Sequence, residues 1–350
     1  MFLFSFGTRP EIIKQFPLIQ EMKKRKMPYK TLFTGQHEDL VKDFINLIGK
    51  PDYSFKNIIS HGQSLNRLVS KIIESADKLL YQKKDLKIIV QGDTSTSFAL
   101  ALSGFQNGNE VIHIEAGLRT HNLKSPFPEE ANRTLVSKLA SFHFCPTQRS
   151  VNNLSSEGIN ENVYLVGNTI VDSFNLISEK NLESEKIKSL VKSIDNYIIC
   201  TLHRRENRKN MERLWDELNI LSESRNIIYI NHPSVVEAKN NLSEKVILIE
   251  PVNYFDMVYL IKNSFGVISD SGGIQEEVLS ANKNILICRD TTERPETIES
   301  GFGKLIGTEI NKNIFFLESK NSNTDNPYGK NVSSKIINVL QEIEKLKKTK

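Results

Sequence analysis

Cysteine is scarce in this chain: Cys145, Cys200 and Cys288 are the only three among 350 residues. They lie far apart, and none has the C-x-x-C spacing of a redox motif or half a zinc site, which excludes a disulfide scaffold and a cysteine-built metal fold. Two of them stand in apolar, strand-like runs, so buried free thiols in a reducing cytosol are expected. Long hydrophobic runs are also missing. No segment approaches the roughly 18 uninterrupted apolar residues of a membrane span. The first run, Met1 to Phe6, is cut by Gly7 with no basic stretch ahead of it, unlike a secretory leader. There is no cluster of Arg and Lys interleaved with aromatics, so a net charge of +4 indicates no nucleic-acid module and suits an anionic small molecule equally well. No repeat of fixed period occurs. What is present is ordinary globular composition, 39% hydrophobic and 25% charged. The length favours two domains, and the expectation is a soluble, cytoplasmic protein.

Short apolar runs alternate with helix-spaced segments along the chain, the pattern of parallel α/β units. Phe2 to Phe6 reads as a first buried strand, and Gly7-Thr8-Arg9-Pro10-Glu11 turns it into a helix with Pro10 at a favoured first position. Arg9 and Lys14 add positive charge to a turn that suits an anion. No G-x-G-x-x-G follows, which argues against a nicotinamide or flavin fold. Gln36 and His37 mark the next strand-to-helix junction, where a histidine is more often a capping residue than a ligand. Ile88 to Val90 leads to Asp93, and Val111 to Ile114 leads to Glu115. Parallel neighbours would project both carboxylates from one sheet edge, an arrangement suited to acid–base chemistry. Glu129 and Glu130 follow beside Asn132 and Arg133, although an acidic first helical turn would account for either glutamate equally well.

Between about Ile177 and Lys192 the composition shifts to Ser, Glu, Lys and Asn, which reads as a solvated helix or linker near a domain boundary. The strand pattern resumes at Tyr197 to Leu202 and runs into His203-Arg204-Arg205, a phosphate-type arrangement at a strand end. Asn231-His232-Pro233 closes another strand. After Phe265 to Ile268 come Asp270, Ser271, Gly272 and Gly273, which open a helix carrying Glu276 and Glu277. There backbone amides can approach phosphate oxygens and a glutamate can accept from ribose hydroxyls. A polar loop, Arg289 to Glu296, includes Arg294. The expected fold is α/β, with two doubly wound Rossmann-like domains facing a cleft.

Seven motifs in order carry a resemblance: Gly7 to Glu11, Gly92 to Thr94, Glu115 to Thr120, Pro128 to Arg133, His203 to Glu206, Asp270 to Glu277 and Arg289 to Glu296. Together they resemble the non-hydrolysing UDP-N-acetylglucosamine 2-epimerases over nearly the whole chain. The resemblance implies a glycosyltransferase-B-like fold, with residues 1–170 as the N-terminal domain, rejoined by a last helix over 332–347, and residues 171–331 as the UDP-binding domain. It implies reversible conversion of UDP-GlcNAc to UDP-ManNAc for polysaccharide biosynthesis, by loss and readdition of UDP through 2-acetamidoglucal. Asp93, Glu115 and Glu129 are then the acid–base candidates and His203 the group that stabilises departing diphosphate. Arg9, Lys14, Arg133, His232, Ser271, Gly272, Gly273, Glu277 and Arg294 bind substrate, and Gln36 and His37 belong to a regulatory site. Beside these candidates, Glu130 is left a helix-start or scaffold role. The route calls for no metal and no cofactor. A homodimer is expected, without nucleic-acid or membrane partners. Competing readings are a UDP-sugar glycosyltransferase of the same fold, a 2-epimerase for a modified UDP-2-acetamido sugar, and a sugar-nucleotide sensor without activity.

Overall fold

The computed structural model describes residues 1–348 apart from residues 37, 61, 233, 236 and 320–324. The chain forms two compact units, Met1–Ser173 with Tyr328–Lys350, and Phe174–Pro327. In the first, β1 (Phe2–Phe6), β2 (Tyr29–Phe33), β3 (Tyr53–Ser54), β4 (Lys87–Gln91), β5 (Glu110–Ile114), β6 (Phe142–Cys145) and β7 (Val163–Leu165) make one sheet. Its order is β3-β2-β1-β4-β5-β6-β7, and the pairs are parallel. All residues of β1 and of β4 are buried. A parallel strand covered on both faces needs a continuous apolar run, which is why these strands stand out in the sequence. The strand order reverses direction between β1 and β4, and the crevice beyond such a reversal is where open α/β sheets bind ligands.

The second unit repeats the plan with β8 (Ile198–Thr201), β9 (Ile227–Ile230), β10 (Val246–Ile249), β11 (Gly266–Ser269), β12 (Ile285–Ile287) and β13 (Gly303–Leu305). These run parallel in the order β10-β9-β8-β11-β12-β13. The reversal here falls between β8 and β11. Its core gathers Ile198, Cys200, Leu214, Trp215, Tyr229, Ile268 and Leu286, all buried. Cys145, Cys200 and Cys288 are free and buried, as their apolar settings imply. Within the polar stretch before β8, helix Glu185–Lys192 buries only Ile187, so its other faces are free to be polar.

The last helix, Val332–Lys348, belongs to the first unit and packs on helix Arg9–Lys24. Arg25 donates to Ser334 Oγ at 2.6 Å, Asn338 Oδ1 at 2.5 Å and Gln341 Oε1 at 3.0 Å. Asp172 accepts from the Ser333 amide and hydroxyl, each at 2.6 Å, and Lys87 pairs with Glu344. The helix is thereby tied down by polar contacts as well as by buried Ile336, Ile337 and Leu340.

Candidate active site

In the first unit the candidate residues collect where β1, β4 and β5 end. The register sets Gln91, the last residue of β4, beside Ile114, the last of β5, so Asp93 and Glu115 leave neighbouring strands together. Glu115 takes a left-handed backbone, φ +66°, a conformation that costs a non-glycine residue about 1–2 kcal/mol. Its carboxylate explains how that is held: Lys14 Nζ meets Oε1 at 2.6 Å, and the Gln91 amide donates to Oε2. Both members of the Lys14–Glu115 pair are nearly covered, at 9% and 7% side-chain exposure. Losing one partner of such a buried pair costs about 3–5 kcal/mol.

Asp93 is half-buried and is gripped by Arg133, whose Nε and Nη2 both reach Oδ2. Asn132 Nδ2 holds the Asp93 carbonyl at 2.9 Å. Glu130 sits behind, taking Arg133 Nη1 at 3.2 Å and the amides of Thr120 and His121 at 2.9 Å each. Glu130 thus stands in the first turn of its helix and also buttresses Arg133, which in turn meets Asp93. Glu129 opens helix Glu129–Leu139 and is only half-covered. Arg9 begins helix Arg9–Lys24 and is half-buried. Gln36 accepts from Thr96 Oγ1 at 2.8 Å, and His37 lies outside the described residues.

Two groups essential to this geometry carry no assignment from the sequence reading. Glu11 is fully buried and accepts from Gly7 N (2.9 Å), Thr8 N (2.8 Å), Thr8 Oγ1 (2.8 Å), Thr94 Oγ1 (2.7 Å) and Ser97 Oγ (3.0 Å). It thus pins the turn after β1 to the turn after β4. Burial raises its pKa, and the donors oppose that rise. The signal in the sequence was the Thr8-x-x-Glu11 capping box. His113 is the other: within β5 its Nε2 lies 2.9 Å from the Gly92 carbonyl, and burial pushes its pKa down to about 3. A neutral His113 donating from Nε2 steadies the strand end from which Asp93 projects.

In the second unit the candidate residues collect after β8, β9, β11 and β12. Helix Gly272–Ser280 follows β11 directly, so its first amides point off the sheet edge where a helix favours negative charge. A side chain at Gly272 would put its Cβ 2.8 Å from Glu293 Oε1 and 3.2 Å from Arg204 Nη2, whereas the Cβ direction at Gly273 is open. Arg289 Nη1 meets Glu293 Oε2 at 2.6 Å, and Arg204 Nη2 lies 3.4 Å from Oε1. Burial would raise the pKa of Glu293, but Arg294, Arg289 and Arg204 outweigh it and hold it at about 2. Arg294 Nε donates to Glu276 at 2.5 Å, and Glu277 is buried in the same helix. Ser271 is half-buried at the helix cap. After β8, the His203 ring stacks on His232, with centroids 4.6 Å apart and planes 20° apart. Among the described residues, no group of three or more His, Cys, Asp or Glu could hold a metal, and no helix is long and apolar enough to cross a membrane.

Two doubly wound units, one with positioned carboxylates at its strand reversal and the other with a helix start and arginines at its own, have the architecture of an α/β enzyme. Residues 20–341 match the family described as UDP-N-acetylglucosamine 2-epimerase. The UDP-N-acetylglucosamine 2-epimerase of Salmonella borreze is 38% identical, covering 99% of both chains. Among solved structures, the Neisseria meningitidis UDP-GlcNAc 2-epimerase bound to UDP-GlcNAc superposes with a TM-score of 0.88 at 39% identity, covering 97% of this chain and 99% of that one. The Staphylococcus aureus MnaA–UDP co-structure gives 0.87 at 33% identity, covering 99% and 97%. The chain belongs to the UDP-N-acetylglucosamine 2-epimerase family.

Proposed function

We propose that the chain interconverts UDP-GlcNAc and UDP-ManNAc without hydrolysis. A carboxylate removes the proton from C2, the C–H electrons form the C1–C2 double bond, and the C1–O bond breaks to release UDP. The intermediate is 2-acetamidoglucal. A carboxylic acid then protonates C2 from the opposite face while a UDP oxygen bonds again to C1. The C2 hydrogen is not adjacent to a carbonyl, so departure of UDP supplies the electron demand, and groups that stabilise the diphosphate lower the barrier as well as hold the ligand.

Asp93, Glu115 and Glu129 serve as acid and base, with Lys14 and Arg133 fixing the first two. His203 and Arg9 stabilise the departing diphosphate, Ser271, Gly272 and Gly273 hold phosphate, and Glu277 holds ribose. His232 and Arg294 complete the substrate contacts, and Gln36 with His37 forms a regulatory site. The observation that carries this reading is the paired anchoring of two carboxylates, Glu115 on Lys14 and Asp93 on Arg133, at adjacent strand ends. The buried thiols suit a reducing cytoplasm. The product feeds polysaccharide assembly, and the active form is a homodimer.

Incubation with UDP-GlcNAc in deuterated water, followed by NMR, tests the reaction. Deuterium entering C2 together with UDP-ManNAc is the expected result. Neither appearing, with UDP released only when an acceptor is added, would establish a glycosyltransferase instead. Tight binding with no turnover of any UDP-2-acetamido sugar would establish a sensor. Turnover confined to sugars altered at C3 or C6 would narrow the substrate.

A further inference from the structure

Asp270, between β11 and the helix Gly272–Ser280, has no part in the chemistry above, yet it is the most completely buried carboxylate of the second unit's strand ends, at 0% exposure. Its oxygens accept from the His203 amide (3.1 and 3.0 Å), the Arg204 amide (2.9 Å) and Asn207 Nδ2 (2.9 Å). Asn207 is itself anchored on the Cys288 carbonyl at 2.8 Å. These four contacts over-determine the position of the carboxylate. Its Oδ1 then stands 3.5 Å from His203 Nδ1, an ion-pair distance that a small ring rotation converts to a hydrogen bond.

We propose that Asp270 is a positioning residue that holds His203 in the Nδ1–H tautomer, so that Nε2 is the nitrogen presented to substrate. Both Asp270 oxygens already act as acceptors, so the ring nitrogen facing Oδ1 is the one that carries the hydrogen. The stacked His232 fixes the plane of the ring and has its own Nδ1 committed to Ser234 Oγ at 2.8 Å. The groups facing His203 are Asp270 from the end of β11, His232 from the end of β9 and Arg204 beside it. Burial lowers the proton affinity of the ring, Asp270 opposes that, and His232 and Arg204 add to the lowering. The resting ring is therefore neutral at mildly alkaline pH, where tautomer decides whether Nε2 offers a lone pair or a hydrogen. With Nε2 bare, the ring can take up a proton as diphosphate charge arrives, becoming the donor that a departing UDP requires.

This deepens the epimerase reading and rests on it for the turnover measurement alone. Ring nitrogen shifts of 15N-histidine-labelled protein at pH 8, with the His203 signal assigned by its loss in His203→Gln, report the tautomer directly. The expected result is Nδ1–H with Nε2 bare, and an Nε2–H ring in the unaltered protein overturns the proposal. Asp270→Asn, whose amide can offer hydrogens to Nδ1, should move His203 toward Nε2–H and lower kcat by about tenfold or more, with KM moving by less than about threefold. The double variant His203→Gln/Asp270→Asn should turn over no more slowly than His203→Gln alone. Losses that multiply overturn the proposal, because Asp270 would then act elsewhere. Should Asp270→Asn fail to fold, the tautomer in the unaltered protein decides. Absence of epimerisation by the unaltered protein would sink the functional reading and leave the tautomer result standing.

Discussion

Two neighbouring histidines make the first unit sensitive to acid. His113 and His143 are register partners on β5 and β6, both buried, with pKa values pushed down to about 3 and about 4. Burial is the main cause for each. For His113 the neighbouring His143, Arg119 and Arg133 add to it against the Gly92 hydrogen bond, and for His143 Arg119 adds to it. An unfolded chain takes up protons on both rings near the ordinary value of about 6.5, while the folded chain does not. Stability is therefore complete above about pH 6.5 and falls as pH drops toward the folded values. At pH 5 the gap is about 1.5 pH units for each ring, or about 2 kcal/mol per histidine at about 1.4 kcal/mol per unit, and about 4 kcal/mol together. Since unfolding free energies are typically about 5–15 kcal/mol, that is a large fraction. Hydrogen exchange of peptides from β4 to β6, measured at pH 7.5 and 5 and corrected for intrinsic rates, reads this unit; the single tryptophan, Trp215, reports on the other. His113→Gln keeps a donor for the Gly92 carbonyl without titrating, and His143→Phe removes the second ring. The double variant should lose about 4 kcal/mol less than the unaltered protein between the two pH values. An equal loss in both proteins would refute the reasoning.

Asp93→Asn should bind UDP within about threefold of normal while turnover falls about 10²-fold or more, as removing an acid–base group does; isothermal titration and coupled kinetics separate the two, and unchanged turnover removes Asp93 from the mechanism. Gly272→Ala drives a methyl toward Glu293 and Arg204, so UDP affinity should drop about tenfold or more, a loss of at least about 1.4 kcal/mol, and an unaltered dissociation constant would contradict the crowding. Cys145, pushed up to about 12 by burial, should resist a thiol reagent at pH 8 until the protein is unfolded, and rapid labelling of the native protein would show that its strand opens.

The strands and their ends were readable because a buried parallel strand needs an apolar run and stops where charge begins. Asp93, Glu115 and His203 accordingly follow strand ends, and Gly272 opens a helix. Partnership was not readable in the same way. Lys14 and Glu115 are 101 positions apart, and His203 and Asp270 are 67, separations over which no local pattern operates. Arg133 is read from the sequence as a substrate cation, and its bonds to Asp93 and Glu130 could be seen only in the fold. Glu11 was detectable from its capping box, but its reach to Thr94 and Ser97 depends on β1 and β4 being neighbours. His113 gave no signal, because one polar residue in an apolar strand looks the same whether it is tolerated or needed.

The left-handed glutamate at the end of β5 also offers a diagnostic. Its backbone would be easier for glycine or asparagine to adopt, so exchanging it would return about 1–2 kcal/mol of the roughly 3–5 kcal/mol lost with the buried lysine pair. Glu115→Gly here should accordingly yield a protein that is inert yet harder to melt than expected from the loss of its lysine partner. Among chains of this fold, a glutamate retained in that conformation would mark those still at work.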